Sequence, residues 1–253
     1  PGPAHGGGGG GGKGHRRKAP NGPSAYLLLG CELLLGGRGG GGGGGGGGAP
    51  QTCISDDPQG FVARARARAG AQTPFVFVIN FVLPFGNYVT YLSPRNGSTS
   101  PYIGDLTFDT TMKRFMTGDD SFRNSRFKMI ARCLEGPWVV KKTANGRPAL
   151  IGQKVKQQYF EGDGFFEVSI DNSSSKTAAT CLKMCQKYAS SIVMDMVYLI
   201  QGEGDDELPE RLLGGMRWHR IDLRAAWPAA DWAARPTDPH HLPPPPPRPP
   251  GGE

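Results

Sequence analysis

The chain has 253 residues, of which 40 are Gly and 23 are Pro, and a formal net charge of +7. So much Gly and Pro excludes a chain folded from end to end, and the lack of a Gly-X-Y period excludes collagen. Residues 75–225 hold 19 Lys and Arg against 16 Asp and Glu, so +3 of the charge lies there and the rest in the ends, without the concentrated basic face that marks a nucleic-acid domain.

Residues 1–74 are expected to be mostly disordered. Gly6 to Gly12 and Gly39 to Gly48 are near-homopolymers that offer no side chains to offset the entropy of ordering. The apolar run Tyr26 to Leu35 is too short to span a bilayer and is interrupted by Glu32, and no other stretch reaches about 18 apolar residues. A soluble, cytoplasmic protein, at most peripheral at membranes, is expected. Residues 75–225 form the expected domain, and its roughly 150 residues suffice to bury about two thirds of the surface of the unfolded chain.

The domain opens with Phe75 to Leu83, a continuous aromatic and β-branched run that reads as a strand buried on both faces. Turn residues at Pro84 to Asn87 predict a hairpin with Tyr88 to Leu92. Phe108, Met112, Phe115 and Met116 recur at helical spacing within 108–122. The stretches 126–133, 138–142 and 150–160 read as extended, and Asp163-Gly164 predicts a tight turn into a strand at 165–170, so four further antiparallel strands are expected.

Asp171 to Ser175 is crowded with helix-capping residues, and from Thr177 to Gln201 the positions Cys181, Met184, Tyr188, Ile192, Met196 and Leu199 recur every three or four residues. One long helix is predicted there, followed by a helical turn at 208–213 and a last strand at 216–223. Residues 226–253 are expected to be a disordered Pro-rich tail, with a polyproline II tract from Pro243 to Pro250 suited to protein partners or to a solvated linker. The fold class read from this order is α+β, an antiparallel sheet packed on one long C-terminal helix. The order is similar to that of helix-grip lipid-transfer domains.

Chemistry is scarce. The only His in the expected domain is His219, and the sequence has no Gly-x-Ser-x-Gly elbow, Walker loop, zinc-binding His pair or dinucleotide fingerprint. No enzyme activity, cofactor or metal is expected. Cys31, Cys53, Cys133, Cys181 and Cys185 read as reduced thiols, while Cys181 and Cys185, one helical turn apart, fit either small buried residues or a ligand or redox pair. Asp119 and Asp120 fit either paired carboxylates or a helix cap.

Three constellations remain. In the predicted long helix, Met184, Tyr188, Ile192, Met196 and Leu199 are candidate walls of a lipid cavity, with the strand at 75–83 opposite. Asp195 interrupts the most apolar part of that helix and needs a buried partner, for which Arg123, Arg126 and Arg217 are candidates. Trp138 beside Lys141 and Lys142 suits either an anionic headgroup or a solvated strand edge.

The stretch Gly118-Asp119-Asp120-Ser121-Phe122-Arg123-Asn124-Ser125-Arg126-Phe127-Lys128, followed by Glu135-Gly136-Pro137-Trp138-Val139-Val140-Lys141, resembles the C-terminal domain of the plant Enhanced Disease Resistance Two family. The resemblance continues through Leu150-Ile151-Gly152, Phe165 to Asp171, Ile192 to Met196 and Glu207 to Gly214. Within it, Leu27 to Leu33 is similar to a degenerate first strand, here bounded as 25–35. The resemblance implies a plant or algal regulatory protein working at membranes. The expected function is therefore a non-enzymatic, lipid-associated regulatory domain in defence or membrane signalling, with a protein-interaction module as the alternative.

Overall fold

The structure, a computed structural model, describes residues 22–35 and 53–223. The glycine tracts and the Pro-rich tail on which disorder was expected lie outside these residues.

Two sheets carry the fold. The first is built from β1 (Tyr26–Leu35), β2 (Val76–Leu83), β3 (Gly86–Pro94), β6 (Lys156–Gly162) and β7 (Phe165–Asp171), in the order β1-β3-β2-β7-β6. The second contains β4 (Phe127–Glu135), β5 (Asn145–Leu150), β8 (Val193–Ile200) and β9 (Leu212–His219), in the order β5-β4-β8-β9. Among the described residues, five α-helices accompany them: α1 (Phe61–Ala69), α2 (Leu106–Thr117), α3 (Asp120–Arg126), α4 (Trp138–Thr143) and α5 (Lys176–Tyr188).

Local chemistry explains the hairpins. Leu83 pairs with Gly86 across a two-residue loop, and Gly86 takes φ +149°, open to glycine and strained for other residues. Gly162 likewise pairs with Phe165 across Asp163-Gly164, with Gly164 at φ +66°, a conformation that favours glycine. All pairings are antiparallel except β2 with β7, which run parallel. Within the described residues, β1 pairs along its length with β3, from Tyr26 opposite Pro94 to Leu35 opposite Gly86.

The sheets pack face to face over one aromatic core. Phe77 of β2 lies 6.4 Å from Phe127 of β4, Phe81 lies 6.3 Å from Tyr198 of β8, and Tyr88 of β3 meets Trp218 of β9 edge to face at 4.8 Å. Helix α2 enters this core: its Phe115 ring is 6.4 Å from Phe77, 5.8 Å from Phe166 and 6.2 Å from Phe127, and Phe108 packs on Tyr26. Phe108, Met112, Phe115 and Met116, the four positions at helical spacing, are all buried. Asp105 starts α2 by accepting from the Phe108 N–H, and Asp119 starts α3 by accepting from the Phe122 N–H at 2.7 Å.

The expected fold needs correction in its main element. No helix spans 177–201. Helix α5 ends at Tyr188, a short 3₁₀ turn covers Ala189–Ser191, and Val193–Ile200 is β8, an inner strand of the second sheet. An apolar run buried on both faces carries no period that distinguishes strand from helix, and here β-branched Ile192, Val193 and Val197 and the flanking strands β4 and β9 select the strand. The described residues therefore close on strands, and the helix held by sheet residues is α2. Two smaller differences have local causes. Gly136-Pro137 leads into a helix, α4, where a strand was expected, with Pro137 at the N-cap and its ring fixing φ at −58° where the chain turns. The 3₁₀ turn Ile151–Gln153 splits the expected strand at 150–160, and 208–213 leads into β9 instead of a helical turn. Folded structure also begins before Phe75, since residues 53–69 cover the outer face of the first sheet through Val62, Phe61 and Ile54.

Candidate functional site

The residues that best fit a contact surface lie on α4. Its placement depends on Gly136, which takes φ +142° and whose missing side chain leaves room for Ile192; a Cβ there would stand 2.8 Å from Ile192 Cγ2. Val140 is then buried against Cys133 and Ile192, with Cys185 and Tyr188 of α5 packed on the same cluster. Helical geometry sends Trp138, Lys141 and Lys142 to the side opposite Val140. All three are exposed, and Trp138 is 74% accessible.

Helix α5 extends the basic character of this end of the molecule. Ser175 caps it by accepting from the Ala178 N–H, its half-buried side includes Cys185 and Tyr188, and Lys176, Lys183 and Lys187 are exposed. Neither helix contains an acidic residue. Lys187 Nζ lies 5.3 Å from the Tyr188 ring centroid. The nearest acid in sequence, Glu135, is engaged by Arg220 at 2.9 Å. Five lysines and an exposed indole thus occupy two packed helices.

The other singled-out residues are dispersed. Met184 and Tyr188 are half-buried on α5, Ile192 belongs to the small cluster under α4, and Met196 points into the core between the sheets. Leu199 is three residues further along β8, an odd step that places it on the opposite face from Met196. These five residues do not line a common cavity, because the helical periodicity that grouped them does not exist in the fold.

Asp195 is on the outer face of β8, half-exposed, directly opposite Arg217 of β9, and accepts from its Nε at 2.6 Å and Nη2 at 2.9 Å. These hydrogen bonds outweigh partial desolvation and hold its carboxyl below the usual range. Arg217 is the partner, and the pair is not buried. Arg123 instead donates to the Phe115 and Met116 carbonyls at the end of α2 and stands over the Tyr159 and Phe166 rings. Arg126 binds Glu203 at 3.2 Å and Glu207 at 3.0 Å.

Glu207 and Glu167, which sequence reasoning passed over, are with Glu32 the buried carboxylates among the described residues. Glu207 is 2% exposed and accepts from Arg114, Arg126 and the N–H groups of Glu203 and Gly204. Burial raises its pKa, but the Glu203 N–H, Arg114, the Gly204 N–H and Arg126 outweigh that and hold it down to about 2. Glu167 is fully buried on β7. Neither has a motif of its own, since a carboxylate among turn residues or in an alternating strand is ordinarily solvated.

All five cysteines are free, and no cluster of three or more His, Cys, Asp or Glu able to hold a metal ion occurs among the described residues. Burial, foremost, pushes the Cys185 thiol up to about 11, and Cys53 up to about 12. No helix among the described residues is long and apolar enough to cross a membrane.

Comparison with known proteins places these features. No solved structure matches. A protein described as "Protein ENHANCED DISEASE RESISTANCE 2-like" from Arabidopsis thaliana is 35% identical over 122 residues, which is 48% of this chain and 17% of that protein. The chain therefore spans about a sixth of that relative's length. The family profile described as "Protein ENHANCED DISEASE RESISTANCE 2, C-terminal" matches residues 14–222, from before β1 to beyond β9. With both sheets and all five helices inside the matched span, the chain belongs to the Enhanced Disease Resistance 2 C-terminal family.

Proposed function

We propose that this domain is a non-enzymatic regulatory module of plant defence or membrane signalling that associates with anionic membrane surfaces through α4 and α5. The observation that carries the reading is the shared face of Trp138, Lys141 and Lys142, with the indole 74% exposed. An exposed Trp is amphipathic and suited to the headgroup region, and lysines near an anionic surface contribute about 1 kcal/mol each. Lys176, Lys183 and Lys187 add charge of the same sign with no acid on either helix. The lipid contact rests on this surface and not on an internal cavity, whose candidate walls are dispersed. A regulatory role agrees with the name of the Arabidopsis relative. The non-enzymatic reading is supported by the engagement of the two adjacent carboxylates: Asp119 caps α3 and Asp120 pairs with Arg123 at 3.3 Å.

Co-sedimentation of the purified chain with vesicles tests it. Vesicles of phosphatidylcholine with about a third phosphatidylserine are expected to carry the chain down at low salt, and pure phosphatidylcholine is not. Trp138→Ala and the Lys141→Glu, Lys142→Glu double substitution are each expected to reduce binding. Equal sedimentation of all variants, or none with the anionic vesicles, overturns the reading.

A further inference from the structure

The cover on the outer face of the first sheet is fastened at one carboxylate. Glu167 Oε2 accepts from the Ile54 N–H at 3.1 Å, the Ser55 N–H at 2.9 Å, Ser55 Oγ at 2.7 Å and Cys53 Sγ at 3.3 Å. Its Oε1 faces Ser169 Oγ at 3.2 Å and Asn80 Nδ2 at 3.4 Å. Every one of these donors is neutral. A carboxylate taken out of water without a cation loses hydration that neutral donors restore only in part.

The covering segment is weak by itself. Helix α1 has nine residues, below the length at which an isolated helix persists, and it starts at Gly60 without a side-chain cap. Val62 is its one buried residue. Its other contacts include the Phe61 ring stacked on Tyr91 at 4.1 Å, Arg64 on Glu32 at 3.2 Å, and Arg66 beside Phe165 and Asp163. Beneath it, the sheet carries polar residues that satisfy one another: Asn87 donates to Asn80 at 2.9 Å, and Asn80 to Ser169 at 2.8 Å.

We propose that residues 53–69 are a displaceable strap, docked on β2, β3 and β7 through Glu167 and able to leave while both sheets remain folded. Opening rehydrates Glu167 and the polar row of Ser169, Asn80 and Asn87, and it also uncovers Val76, Val78, Val89, Tyr91 and Phe165. It therefore costs apolar burial, but only that of the outer face, less than unfolding the sheets and their aromatic core would cost. The core between the sheets, built on the opposite faces of the same strands, is untouched by the opening. The device is a two-state element of the low-stability kind from which regulatory segments are drawn. It is independent of the α4 surface.

Hydrogen exchange followed by mass spectrometry on the full chain tests it, reading the shielded amides of Ile54 and Ser55 together with α1. These are expected to exchange at least tenfold faster than β2 and β7. Ser55→Ala, which removes a hydroxyl donor to the carboxylate, and Phe61→Ala, which removes the stacked ring, are each expected to raise strap exchange roughly tenfold further. The sheet amides should keep their rates. A common rate for strap and sheet in the unaltered chain overturns the proposal, as does a rise in β2 and β7 equal to that in the strap in both variants.

Discussion

Arg126 at the end of α3 and Glu207, 81 residues later, meet at 3.0 Å and tie the α3 to β4 junction to the loop that leads into β9. Arg114 of α2 reaches the other oxygen of the same carboxylate at 2.8 Å. Glu207 thereby locks two helices against the loop after β8, and its Glu203 and Gly204 hydrogen bonds shape that loop around it.

Glu207→Gln is expected to destabilise the domain by about 3 kcal/mol, the typical cost of breaking a buried ionic contact from one side. The pH dependence has a definite sign. Because the folded-state pKa is held down to about 2, against 4.5 for the free group, the contribution is fully present above about pH 4.5 and is lost as pH falls toward 2. Urea midpoints measured between pH 7 and pH 3 check this: the unaltered chain should lose stability over that range more steeply than the variant.

Phe115→Ala removes the ring that touches both sheets. Its rim contacts with Phe77, Phe166 and Phe127 leave no neighbour free to fill the space, so a loss of about 3–5 kcal/mol is expected. Chemical denaturation gives the number, and a loss below about 1 kcal/mol would mean that α2 is not part of the core.

Gly136→Ala tests the seat of α4. The position requires both φ +142° and the space now filled by Ile192 Cγ2, so a cost of about 1–3 kcal/mol is expected. Vesicle binding should fall with it, because the turn sets the direction in which Trp138 projects. Denaturation and co-sedimentation of the same preparation separate the two effects.

Asp195→Asn is expected to change stability little. The pair with Arg217 is a cross-strand contact between half-exposed and exposed side chains, screened by salt and hydrated on both sides. Thermal melts of both proteins at low and high salt check this, and a large loss would show that the carboxylate is shielded in a way its exposure does not indicate.

Some of this architecture was legible in the residues. Both hairpins announced themselves through turn chemistry, at Gly86 and at Asp163-Gly164. The spacing of Phe108, Met112, Phe115 and Met116 placed α2, and the motifs from Gly118 to Lys141 pointed to the family. Trp138, Lys141 and Lys142 were visible as a cluster because they are near one another in sequence, although the strand assigned to them is a helix. The stretch 192–200 carried no helix-or-strand signal of its own, because every third or fourth residue of a run that is apolar except at Asp195 is apolar whatever the run forms. The parallel partnership of β2 with β7 and the two-sheet arrangement had no local signature, since strand partners so far apart in sequence are selected by collapse.

The sequence by itself determined where the chain turns, which helix is amphipathic and which family it joins, because these depend on side chains within a few residues of one another. Only the tertiary structure decided that 193–200 is a strand, that Asp195 faces Arg217, and that Glu207 and Glu167 are buried. Those outcomes depend on which distant residues come to lie alongside, and a side chain carries no local mark of the neighbours that burial will give it.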